Sequence, residues 1–125
     1  MKKKLLYFFL LLSFSCHTSK LQPTPEQLQK IRFDLSKLDK DGLLGPPDGK
    51  VALDYEFCIP RKEQYRKEVE SIDPSLKIQT VKGRIGCGRD QYLCLGNTHQ
   101  EHYREVLYRL AGLGYVERIE RAFFE

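Results

Sequence analysis

The sequence predicts an α+β fold, namely a ferredoxin-like split β-α-β-β-α-β antiparallel sheet with an extra N-terminal helix. Three observations lead to this prediction. Residues 51–59 alternate between apolar and polar side chains, which is typical of a strand with one buried face. Residues 61–72 and 98–111 carry apolar side chains at helical spacing. Gly86 and Gly88 separate two further strand-like segments, so helices and strands alternate along the chain.

The first fifteen residues are typical of a secretory signal peptide. Three lysines, at positions 2–4, precede an apolar run at positions 5–12. A run of roughly ten residues is too short to span a membrane, because a spanning helix needs about 20. The predicted organisation is a signal peptide over 1–15, a tether over 16–23 and a single α+β domain over 24–125.

Cys16 is predicted to be the first residue of the mature chain. Ser13 and Ser15 are small residues of the kind that precede a signal peptidase cleavage site. The segment resembles the end of a bacterial lipoprotein signal, in which the cysteine after the cleavage site carries a diacylglycerol. That box has leucine three places before the cysteine, whereas here Leu12 lies one place earlier and Phe14 occupies a small-residue position. We expect lipidation of Cys16, and simple secretion with a free Cys16 thiol is the alternative.

The charge of the mature chain argues against a nucleic-acid partner. The full chain has 21 lysines and arginines against 17 aspartates and glutamates. Three of the lysines belong to the predicted signal peptide, so 18 basic residues and the same 17 acidic residues remain. Basic and acidic residues are interleaved, as on a solvated helix or strand face. We therefore predict no nucleic-acid binding, and export supports the same conclusion.

A first helix is predicted to begin at Thr24 and to end near Asp39. Thr24 and Gln27 form a Thr-x-x-Gln capping box, and Pro25 suits the first helical position. The apolar stripe of this helix is formed by Leu28, Ile31, Leu35 and Leu38. Residues 39–50 contain three glycines and two prolines and are predicted to form a loop.

The remaining elements follow from alternation, spacing and turn residues. In the strand at 51–59, the odd-numbered residues are apolar and are predicted to be buried. The elements expected after it are a helix at 61–72, strands at 76–85 and 91–96, a helix from 98 and a strand at 115–124. A second capping box, Thr98-x-x-Glu101, is predicted to start the last helix.

This order of elements predicts the strand order 4-1-3-2, with two helices on one face of the sheet. The other face is expected to be an open docking surface. The residues expected on it are Ala52, Asp54, Glu56, Tyr92 and Cys94. The alternative is that the N-terminal helix closes this face, because its apolar stripe must be buried.

The topology also predicts a disulfide. Cys58 lies near the end of the first strand, and Cys87 lies just before the third strand, at the same end of the sheet. Cys94 lies about 23 Å beyond Cys87 if the chain between them is extended, so these two pair only if the chain folds back. We rank the Cys58–Cys87 disulfide first and the Cys87–Cys94 disulfide second. If Cys16 carries a lipid, one of the other three thiols is left over.

Cys94, His99 and His102 are candidate ligands for a metal such as zinc or copper, which bind thiolate and imidazole groups. His99 and His102 are three residues apart on a predicted helical turn and share a face. The chain has no C-x₂₋₄-C pair, and an oxidising compartment favours disulfides. We predict no cofactor, and a metal-binding or redox-active envelope protein is the alternative function.

No motif in the chain specifies a reaction. The sequence has no G-x-S-x-G, no H-E-x-x-H and no glycine-rich phosphate loop. We therefore predict a small non-catalytic binding or accessory module that is exported and held at the cell envelope by its lipid. Its partners are the membrane, through that lipid, and a protein that the sequence does not identify.

Overall fold

The computed structural model describes residues 22–123. The predicted signal peptide, Cys16 and most of the tether lie outside the described residues, as do residues 124 and 125. Among the helices of the described part of the chain, none combines the length and the apolar character that crossing a membrane requires.

The predicted α+β class is confirmed, because the described residues form α-helices and two antiparallel sheets. The helices are α1 (Pro25–Lys30), α2 (Glu63–Ile72) and α3 (Tyr103–Ala111). The strands are β1 (Leu43–Leu44), β2 (Val51–Ala52), β3 (Asp54–Pro60), β4 (Lys77–Gln79), β5 (Gln91–Asn97) and β6 (Glu120–Arg121). β1 and β2 form a small two-stranded sheet, and the larger sheet has the order β4-β5-β3-β6. Every neighbouring pair in the larger sheet is antiparallel.

The core lies between the larger sheet and the helices. Alternation along β3 directs Tyr55, Phe57 and Ile59 toward the helices, and all three side chains are fully buried. Val69 from α2 and Leu107 from α3 belong to the same cluster and are equally buried. The alternating pattern in the sequence therefore predicted the buried face of β3 correctly.

The capping box at the start of α1 is confirmed, but the predicted length of the N-terminal helix is wrong. α1 ends at Lys30, because Ile31 is extended and forms a parallel bridge with Ile119. Ile119 N–H donates to Lys30 O (2.7 Å), and Arg32 N–H donates to Ile119 O (2.8 Å). These bonds satisfy backbone groups that a longer helix would pair internally. Only a short 3₁₀ turn, Leu35–Lys37, follows.

The capping box predicted at Thr98 is wrong, since α3 begins only at Tyr103. Thr98 is fully buried. Its hydroxyl accepts a hydrogen bond from Leu53 N–H (2.9 Å) and donates one to Gly42 O (2.6 Å). Because both functions of the hydroxyl are used, it ties the 39–50 loop to the start of β3 instead of capping a helix.

Replacing Thr98 with valine is expected to lower the free energy of unfolding by about 2–3 kcal/mol, because Leu53 N–H and Gly42 O would each lose a buried partner. Urea unfolding of the variant and the parent protein measures the difference. Thr98→Ser keeps the hydroxyl and removes one methyl group, so the free energy of unfolding should fall by only about 1 kcal/mol. Equal losses in the two variants would contradict the role assigned to the hydroxyl.

Three predicted strands are shorter than expected. The segment 51–59 is divided between β2 and β3, because Leu53 N–H bonds to the Thr98 hydroxyl instead of continuing a strand ladder. The strand predicted at 76–85 is reduced to β4, since Gly83 and Gly86 have φ values of 62° and 83° and turn the chain. Residues 80–90 consequently form a loop, which we call the 80–90 loop.

The last predicted strand, at 115–124, pairs with the larger sheet only through β6. Val116 N–H donates to Leu113 O (3.1 Å), so the chain is still in a turn after α3. Val116 and Ile119 are nevertheless fully buried, which accounts for the apolar pattern of this segment. Both side chains belong to the main hydrophobic core, and Ile119 also forms the bridge to Ile31.

Candidate functional site

The larger sheet has one face opposite the helices, which we call the open face. The even-numbered residues of β3 and the odd-numbered residues of β5 lie on it, according to the register of the two strands. The prediction that Tyr92 and Cys94 lie on this face is wrong. Cys94 pairs with Phe57 and Tyr92 pairs with Ile59, so both side chains are on the helix side.

The 80–90 loop covers one half of the open face. A disulfide joins Cys58 on β3 to Cys87 in the loop, with Cα atoms 5.6 Å apart, and this is the pairing that the sequence ranks first. Ile85 and Cys87 are buried and pack against Leu93 in a hydrophobic cluster separate from the main core. This half of the face is therefore closed by apolar contacts and a covalent bond.

Two hydrogen bonds fix the centre of the 80–90 loop. Glu56 Oε1 accepts a hydrogen bond from Ile85 N–H (2.6 Å), and Arg118 Nη2 donates one to Ile85 O (2.8 Å). The Glu56 side chain is only 4% exposed, and a carboxylate buried this deeply needs such a partner. The loop is thus bonded both to β3 and to the segment before β6, and it forms part of the folded domain.

The other half of the open face forms a groove with a volume of about 450 Å³. Clefts of this size are common ligand sites. The groove is lined by side chains from β3, β4 and β5 and from the turn before β4, namely Asp54, Ser75, Lys77, Gln79, Leu95 and Asn97. The alternative prediction, that the N-terminal helix closes this face, is wrong, because α1 packs against α3 on the helix side.

The groove has an ordered polar end. Asn97 Nδ2 donates to Asp54 Oδ1 (2.8 Å), and Asn97 Oδ1 accepts a hydrogen bond from His99 N–H (2.7 Å). Asp54 and Asn97 are also direct partners in the register of β3 and β5. Lys77 lies on the opposite wall, on β4, and pairs with Leu95 on the groove floor. The groove therefore presents a carboxylate on one side and an ammonium group on the other.

Of the residues that line the groove, only Asp54 was predicted from the sequence to lie on the open face. Leu95, which lies in the strand predicted at 91–96, and Asn97, one residue beyond that strand, were missed. The missing information was the register between strands, because a shift of one residue exchanges the two faces. Alternation within the strand indicates only that Leu93, Leu95 and Asn97 share a face, and it does not indicate which face.

The structure does not bring the three candidate metal ligands together. His99 and His102 are exposed beside the 39–50 loop, and His99 Nδ1 lies 3.2 Å from Asp41 O. Cys94 is fully buried in the main core on the helix side. Within residues 22–123, no group of three or more histidine, cysteine, aspartate or glutamate side chains is placed to hold a metal ion. The alternative function through these ligands therefore has no assembled site in this part of the chain.

Cys94 is the free cysteine of the described residues. Burial raises the pKa of its thiol to about 12. At neutral pH the side chain is consequently a thiol and not a thiolate, and the thiolate is the form that attacks electrophiles and binds metals. Cys94 behaves as a small apolar core residue, which also disfavours the Cys87–Cys94 disulfide considered as a second choice.

No protein-family model, no curated protein and no solved structure matches this chain.

Proposed function

We propose that this protein is an exported, lipid-anchored and non-catalytic binding module of the cell envelope. The observation that carries the proposal is the groove on the open face. One half of that face is closed by the disulfide-bonded 80–90 loop, whereas the other half is left as a cleft of about 450 Å³ with polar walls. A folded face that is half closed and half concave suits the binding of a partner.

Two features support export and anchoring. The Cys58–Cys87 disulfide is of a kind that persists in oxidising compartments and is rare in the cytosol. The N-terminal sequence has the charged, apolar and small-residue regions of a signal peptide, followed by Cys16. Each buried CH₂ group of a lipid contributes about 0.8 kcal/mol, so two or three acyl chains on Cys16 would hold the domain stably at a membrane.

We also propose that the fold is ferredoxin-like. In this interpretation β3, β4, β5 and β6 are the four strands of the motif. Numbered 1 to 4 in chain order, these strands have the sheet order 4-1-3-2 when the sheet is read from β6 to β4. α2 follows the first of them and α3 follows the third. Ferredoxin-like domains carry many unrelated functions, so the binding proposal depends on the groove and not on the fold.

Site-specific photo-cross-linking in the intact cell envelope tests the binding function. A photoreactive amino acid replaces Gln79, which is exposed on the groove wall. The matched control places it at Arg109, which is exposed on α3, on the helix side of the sheet. We expect a discrete adduct of defined mass from position 79 that is missing from position 109. Identical adducts from both positions, or none from position 79, would contradict a partner site in the groove.

A further inference from the structure

β4 is the outermost strand of the larger sheet and borders the groove. Arg61 N–H donates to Asp90 O (2.8 Å) just beyond the last residue pair of β3 and β5. The backbone groups of successive residues in a strand point alternately to its two neighbouring strands. Cys94 is an even number of residues from Asp90, so its backbone groups also point toward β3. Ile78 pairs with Cys94 on the other side and must therefore direct its own N–H and C=O away from the sheet. The outer edge of β4 thus presents a backbone donor and an acceptor.

The edge of β4 is positively charged. Lys77 is the first residue of β4, Lys82 lies three residues after its last residue, Gln79, and both lysines are exposed. Within residues 22–123, neither ammonium group is in an ion pair, in contrast to Lys50, which binds Asp39 at 2.8 Å. Val81, which lies between Gln79 and Lys82 in the chain, is 57% exposed. The edge therefore combines free backbone groups, two uncompensated positive charges and one apolar side chain.

We propose that an extended, acidic segment of a partner polypeptide pairs with β4 as an added strand. The inference rests on the proposed binding function and names the chemistry of the partner. The backbone of the added strand would bond to the Ile78 N–H and C=O, and its carboxylates would lie near Lys77 and Lys82. A second copy of this chain fits less well, because antiparallel pairing of two β4 edges would bring four lysines of the same sign to one interface.

The test uses the mature chain and a synthetic eight-residue peptide in which glutamate and valine alternate. Fluorescence anisotropy measures its binding, and hydrogen exchange followed by NMR measures protection of the Ile78 amide. We expect binding of the peptide to slow exchange at Ile78 at least about tenfold, with little change at Lys77 and Gln79, whose amides already face β5. A peptide with lysine in place of glutamate is the charge control and should bind at least about tenfold more weakly.

Charge reversal on the protein provides the matched variants. Lys77→Glu combined with Lys82→Glu should weaken binding of the acidic peptide about tenfold or more. The control combines Lys62→Glu, just before α2, with Lys67→Glu, in α2. Both control positions are exposed, and this double variant should leave binding unchanged. Equal binding of both peptides, unchanged exchange at Ile78, or equal effects of the two double variants would overturn the inference. Sedimentation that reveals a dimer with Ile78 protected would also overturn it, in favour of a second copy.

The two proposals fail separately. If the acidic peptide does not bind but cross-links from position 79 persist, the added-strand inference is wrong and the binding function stands. If position 79 gives no adduct in the envelope, the binding function itself is contradicted.

Discussion

Replacing both Cys58 and Cys87 with alanine is expected to lower the free energy of unfolding by about 3–4 kcal/mol. The disulfide spans a sequence separation of 29 residues, and closing a loop of this length restricts the unfolded chain by an amount of that order. Small domains have total stabilities of about 5–15 kcal/mol, so the loss is a large share. Urea unfolding followed by circular dichroism measures it.

A reductant provides the control for this prediction. The parent protein in reductant should approach the stability of the double variant, and the double variant should be insensitive to reductant. Glu56 and Arg118 would still hold Ile85 by hydrogen bonds, so the folded state of the variant should retain the 80–90 loop in place. A loss below about 1 kcal/mol would contradict the view that the disulfide closes this half of the open face and stabilises the domain.

Gly96→Ala is expected to lower the free energy of unfolding by about 3 kcal/mol, which is at the upper end of the range for overpacking a core. Gly96 lies opposite Tyr55 in the register of β3 and β5, and a methyl group added at Gly96 would overlap the Tyr55 ring. The ring cannot move away easily, because Tyr55 is fully buried and its hydroxyl lies 3.4 Å from Asp73 Oδ2. Thermal and urea unfolding of the variant measure the cost.

Gly114→Ala is the matched control for the same substitution. A methyl group added at Gly114 meets no atom within 4 Å, and Gly114 has no positive φ. Its stability should change by no more than about 0.5 kcal/mol in either direction. If the two alanine variants were equally stable, the close packing of Tyr55 over β5 would be contradicted.

Local patterns in the sequence predicted those features that depend on neighbouring residues. The alternation at 51–59 identified β3 and its buried residues Tyr55, Phe57 and Ile59. The capping box at Thr24 and Gln27 identified the first residue of α1. In both cases the determining contacts lie within a few residues along the chain, so periodicity and capping rules describe them.

The same rules failed where a distant segment supplied a better partner. Ile31 continues the apolar stripe of the first helix, but it leaves the helix to bridge Ile119. Thr98 has the same capping pattern as Thr24, yet its hydroxyl bonds to Leu53 and Gly42 in the folded core. Such long-range bonds carry no local signature, and they outweigh the modest free energy of a helix cap, about 1 kcal/mol.

The site was predicted in part. An uncovered face of the sheet was expected, and a groove does lie on the face opposite the helices. The loop that closes half of that face was not foreseen, because residues 76–85 were predicted to form one strand of a hairpin. Gly83 was the available signal, since an added methyl group there would meet the Leu93 side chain at 2.8 Å and its φ is positive. Glycine at such a position indicates a turn packed closely against a sheet.

Anchoring and disulfide formation are both tested by the intact mass of the mature protein from the membrane fraction, with and without reduction before thiol alkylation. We expect a chain that begins at Cys16 and is heavier by its acyl groups. Denaturation and alkylation without reduction should then label Cys94 alone, and reduction should add two labels, at Cys58 and Cys87. A chain without acyl groups in the soluble fraction, with Cys58 and Cys87 labelled before reduction, would contradict an anchored, disulfide-bonded envelope module.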